Sequence, residues 1–130
     1  MEYALYNFKI YKGIDKYIPI SFYSKENDEK VYEDFTGSNF LLTIKDSYSG
    51  NIVDTLTNEN GRIKIGIINQ SNEFEESNNL PYALELRFPH EITKELNIPL
   101  LIYDLFRITD NNHEVLLHGN IEIIKSVSYE

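Results

Sequence analysis

The chain has 130 residues, 42% of them hydrophobic, and sets 21 Asp and Glu against 12 Lys and Arg for a formal charge of −9. That length suits one domain, residues 1–130, around a single core. The acidic balance leaves no basic stripe to follow a phosphate backbone, so no nucleic acid is expected as a partner, and it disfavours anionic membrane surfaces.

The absence of cysteine rules out a disulfide framework, a thiolate metal site and a cysteine nucleophile. Met1 to Lys9 has no basic stretch followed by an apolar run, so no secretory signal is expected. The most apolar run, 98–106, is interrupted by Pro99 and Asp104 and falls far short of the ~20 residues of a spanning helix. Synthesis and folding in a cytoplasm is the resulting expectation.

In chain order, Tyr6, Phe8 and Ile10 alternate with Asn7, Lys9 and Tyr11, the period of a half-buried strand, and Lys12 to Asp15 supplies a turn. Ile18, Ile20 and Phe22 alternate with Pro19, Ser21 and Tyr23. Proline has no N–H to give a ladder, which puts this strand at an edge. Residues 24–33 carry Lys25, Glu26, Asp28, Glu29, Lys30 and Glu33 with no apolar face, and read as a solvated loop.

Asp34-Phe35-Thr36-Gly37 reads as a tight bend, with glycine free to take positive φ and the Asp and Thr oxygens free to accept from nearby backbone. Phe40, Leu42 and Ile44 then share one face of a strand. Asp46 to Asn51 turns the chain into Ile52–Leu56, a hairpin. Asn60-Gly61 suits consecutive residues of positive φ, and 62–68 alternates strongly through Ile63, Ile65 and Ile67. The polar stretch 69–79 reads as a mobile surface loop.

Tyr82, Leu84, Leu86 and Phe88 alternate up to Pro89. His90 to Leu96 is the one predicted helix, with Ile92 and Leu96 on a small apolar face. Leu101, Tyr103 and Leu105 face one way; Ile102, Phe106 and Ile108 face the other, where only Asp104 breaks the apolar run. A strand apolar on both sides must be covered on both, by its own domain or by another chain. After a turn at Asp110-Asn111-Asn112, 114–118 runs back, Gly119 punctuates, and a last strand follows through 124 and Val127. These segments give about eight or nine short strands, an all-β antiparallel β-sandwich, immunoglobulin-like or a partly open barrel.

Catalytic and metal signatures are not expected. His113 and His118, five apart on one strand, should point to opposite faces, and His90 fits a helix start. The aspartates fall at strand ends and turns, where they cap backbone donors. Asp110-Asn111-Asn112 lacks the glycine and distant glutamate of a calcium loop. Without a phosphate loop or nucleophile elbow, the chain is expected to be no enzyme and to need no cofactor. Tyrosine favours protein interfaces, and Tyr11, Tyr23, Tyr32, Tyr48 and Tyr129 fall outside the inward strand phase. Tyr11, Tyr23, Tyr48, Ile102, Phe106 and Ile108 are the candidate interface residues.

The order of these signals carries a resemblance. Lys12-Gly13 with Asp15 comes after the first strand, and Asp34-Phe35-Thr36-Gly37 precedes a strand ending Ile44-Lys45-Asp46. Asn60-Gly61-Arg62-Ile63-Lys64-Ile65 follows, then Tyr103-Asp104-Leu105 and Leu116-Leu117-His118-Gly119-Asn120-Ile121-Glu122-Ile123. Over residues 6–127 the series resembles small β-sandwich structural proteins of tailed bacteriophages and prophages. It resembles more distantly the N-terminal sandwich of phage baseplate upper proteins. Phe35 and Lys45 stand where that pattern has Leu and Arg, and the 69–79 loop is longer; turn and strand chemistry are kept.

The resemblance implies a virion component assembled in the host cytoplasm: an adaptor or decoration protein of tail, collar, baseplate or capsid. It would contact other virion proteins in multiple symmetric copies. Two other classes stay open, a carbohydrate-binding sandwich with exposed aromatics beside amides or carboxylates, and an acidic cytoplasmic inhibitor or accessory protein.

Overall fold

The computed structural model describes residues 4–110 and 112–125. Asn111 of the predicted turn, Val127 and Tyr129 therefore lie outside the described residues. The chain runs β1 (Ala4–Leu5), β2 (Phe8–Tyr11), β3 (Lys16–Ser21), β4 (Tyr23–Glu26), β5 (Glu29–Tyr32), β6 (Asn39–Lys45), β7 (Ile52–Thr57), β8 (Ile63–Ile68), β9 (Phe74–Glu76), β10 (Ala83–Phe88), α1 (His90–Thr93), β11 (Leu100–Thr109) and β12 (Asn112–Ile124).

The larger sheet has the order β12-β11-β6-β7, with β1 and β2 both running parallel to β12 along its outer edge; the smaller has the order β3-β10-β8-β9. This is an all-β sandwich with the strand order of an immunoglobulin-type domain. β3 is an edge strand, with Pro19 facing Glu85 of β10. The core lies where the alternation puts it. Phe40, Leu42 and Ile44, Leu101, Tyr103 and Leu105, and Ile121 face Ile18, Ile63, Leu84, Leu86 and Phe88 from the other layer. Each large apolar side chain removed from water contributes about 1.5–3 kcal/mol.

The predicted bend at 34–37 has a structural task. Asp34 Oδ1 accepts from the Thr36 amide (2.9 Å) and hydroxyl (2.7 Å), and Gly37 takes φ +72°. The turn carries Phe35 into the core, where the Arg107 guanidinium lies 5.2 Å over its ring. Arg107 also donates to Glu33 (2.6 Å), the Asp34 carbonyl (2.7 Å) and Ser38 Oγ (2.8 Å), tying the turn to β11. At another rim, Arg62 makes a two-pronged pair with Asp54 (3.2 and 2.8 Å) and donates to the Arg87 carbonyl (2.7 Å), joining β7 to the opposite layer.

The structure departs from the sequence reading in several places. Residues 24–33 are not a loop but the β4–β5 hairpin, closed by Asn27 (φ +51°) and Asp28 (φ +65°) in the left-handed region. That is the two-residue turn whose twist suits a hairpin, and it holds residues that are all exposed. The 69–79 segment contains β9, paired to β8. At Asn60-Gly61 only Gly61 has positive φ; Asn60 instead exchanges hydrogen bonds with Thr57. The helix, expected as one or two turns, is a single turn, and Thr93 anchors it by accepting from the Gly13 amide (3.0 Å) and donating to the Ile14 carbonyl (3.0 Å).

Gly119 does not interrupt β12, which runs unbroken through it. The first strand does break, between Leu5 and Phe8, and Tyr6 falls in that jog. There a Cβ on Gly119 would sit 2.1 Å from the Tyr6 carbonyl oxygen. The same oxygen accepts from the Tyr103 hydroxyl (2.6 Å), and Asn7 Oδ1 accepts from the Asn120 amide (2.8 Å). A side chain stands in for the missing ladder bond.

Candidate functional site

β11 is central in its sheet, and its two faces meet different surroundings. Leu101, Tyr103 and Leu105 are buried in the core, whereas Ile102, Asp104, Phe106 and Ile108 lie half-buried on the outer face. No described element is paired or layered over them. The strand register fixes their neighbours. Ile102 lies opposite Lys45 and Asn120, Asp104 opposite Thr43 and His118, Phe106 opposite Leu41 and Val115, and Ile108 opposite Asn39 and His113.

A β-bulge shapes this face. Leu105 faces Leu117 but Phe106 faces Val115, so Leu116 is an extra residue in β12. Because one added residue reverses the alternation, His113 and His118 share the outer face rather than pointing to opposite ones. Among the described residues no group of three His, Cys, Asp or Glu is placed to hold a metal ion.

The face continues over the neighbouring strands. Leu5 beside His118, Ile52 beside Lys45, Leu100 beside Glu122 and Tyr11 beside Ile124 are 66%, 62%, 54% and 51% exposed. Tyr48, 86% exposed on the β6–β7 turn, borders with Ile102, Asp104, Lys45 and Thr43 a shallow hollow of about 100 Å³. Desolvation pushes the Asp104 carboxyl above its ordinary range, and Lys45 and His118 pull it part of the way back. Lys9 and Lys45 balance Asp104 and Glu122 across the face, so the net −9 of the chain resides elsewhere. A mixed face, with exposed apolar side chains set among polar ones and no net charge, suits contact with another protein surface.

No protein-family model matches the chain, and no curated protein does.

Of the six candidate residues, Tyr11, Ile102, Phe106 and Ile108 come together on this one face, and Tyr48 stands at its border. Tyr23 does not join them. It lies on the β4–β5 hairpin, edge-on to Tyr32 at 5.8 Å with the Lys30 ammonium 4.6 Å from its ring. Tyr32 is exposed as expected. The sequence reading missed Leu5, Ile52 and Leu100 as members of the face, because each lies at a strand end where alternation carries little signal. It also assigned Tyr82 to the core; Tyr82 precedes β10 and is exposed.

Proposed function

We propose that the chain is a structural adaptor or decoration protein of a tailed-phage particle. It sits in tail, collar, baseplate or capsid and acts by docking the outer face of its larger sheet on other virion proteins. The observation that carries this reading is β11, a central strand apolar on both sides apart from Asp104, with only one side covered by the described domain. The collinear turn and strand motifs supply the phage context. Repeated copies in a symmetric particle would bury the same face at every position.

Quantitative mass spectrometry of purified particles tests it. Copies in a fixed ratio to the major capsid protein, matching a tail or capsid symmetry, support the proposal. Absence of the polypeptide from intact particles refutes it.

A further inference from the structure

At one end of the smaller sheet, away from the apolar face, the β4–β5 hairpin and the turn after β8 enclose a groove of about 490 Å³. Its size lies within the range of small-molecule sites. Ile67, Ile68 and Ala83 line it with apolar surface, and so do Tyr32 and Tyr82, residues that are 45% and 36% exposed. Tyr32 is held from behind by its edge contact with Tyr23.

The other wall is polar and fixed in shape. Asn69 Oδ1 accepts from the amides of Ser71 (2.9 Å) and Glu73 (3.0 Å), its Nδ2 donates to Glu75 (3.1 Å), and its carbonyl accepts from the Asn72 amide (3.0 Å). This network holds Asn72 in the left-handed region at φ +59°. Asn72 lines the groove, and its side chain makes no hydrogen bond to any described residue. Lys30 is the sole charged residue among those lining it, and no carboxylate lines it although the chain carries 21.

We infer that this groove binds a short saccharide. Two exposed tyrosine rings can stack on the C–H faces of a pyranose, and an uncommitted amide offers both a donor and an acceptor to neighbouring hydroxyls. The turn wall is already ordered, so little conformational freedom is lost on binding. Lys30 extends the range to carboxylated sugars, and the lack of a lining carboxylate spares them repulsion.

The inference goes beyond the docking role, and the two can fail separately because they use different surfaces. Methyl glucoside, methyl N-acetylglucosaminide and methyl glucuronide at millimolar concentrations, titrated into the labelled full chain and followed by amide NMR shifts, test it. Saturable shifts at Tyr32, Asn69, Asn72 and Tyr82 are expected with at least one probe. Tyr82→Ala should weaken them about two- to tenfold, the loss of one stacking contact. Asn72→Gly, which keeps the left-handed turn and removes only the amide, should weaken them as well, with the remaining spectrum unchanged in both variants. No saturable shift with any of the three sugars, or shifts that both variants leave unaltered, would overturn the inference.

Discussion

Gly119→Ala isolates the device that seats the N-terminal segment. The added Cβ would lie 2.1 Å from the Tyr6 oxygen, 2.8 Å from the Tyr6 carbonyl carbon and 2.8 Å from Asn7 Oδ1. Two of those three atoms are backbone, so the segment must move away from β12. Three hydrogen bonds then lengthen together: Tyr103 hydroxyl to Tyr6 carbonyl (2.6 Å), Asn120 amide to Asn7 (2.8 Å) and Tyr6 amide to the His118 carbonyl (2.9 Å). At a net 0.5–1.5 kcal/mol each, the loss is about 1.5–4.5 kcal/mol. It exceeds the gain of about 0.5–1 kcal/mol that alanine brings over glycine in a strand. Urea unfolding should show the difference, a net loss of about 1–3.5 kcal/mol, and Tm should fall by roughly 4–15 °C. Tyr103→Phe alone should lose about 1 kcal/mol, but close to nothing in the Gly119→Ala background, because the bond it removes is already broken. A Gly119→Ala change below about 0.5 kcal/mol, or full additivity with Tyr103→Phe, would refute the reasoning.

Thr93→Val keeps the shape of a fully buried side chain but leaves the Gly13 amide without its acceptor. It should destabilise by about 1–3 kcal/mol in denaturant titration. Asp104→Asn should raise Tm near neutral pH, because the folded state holds the Asp104 proton more tightly than the unfolded chain, so stability falls as pH rises through its raised range. The gain over wild type should vanish in melts below the ordinary value of 3.8, where both forms are neutral. Asp28→Gly should stabilise the β4–β5 hairpin by a few tenths to about 1 kcal/mol, since glycine takes the left-handed φ of +65° without steric cost. Slower amide exchange across 23–32 would show it.

Period-2 alternation made the sandwich legible wherever a strand covers the core on one side, as in β6 and β10. It was silent for β4–β5, whose side chains cover no core; there the signal was the Asn27-Asp28 dipeptide, weaker than Asn-Gly and hidden among charges. The bulge at Leu116 had no local mark beyond two adjacent leucines, because the register is set by β11, and it carried both histidines to one face. Gly119 resembled a turn for the same reason that it is needed: close backbone approach and chain reversal both favour glycine. Ile102, Phe106 and Ile108 were legible as a face because their strand is apolar on both sides. Tyr82 was not legible as exposed, since it keeps the inward phase one residue before its strand begins.

The most direct test of the proposed docking role is to place Phe106→Asp in the gene within its source genome and count the protein in purified phage particles by mass spectrometry. Phe106 lies on the outer face of β11, so the variant should remain folded, as circular dichroism of the isolated chain would verify. The account predicts that the folded variant is lost from particles. Its incorporation at the wild-type copy number would contradict the claim that this sheet face makes the contacts.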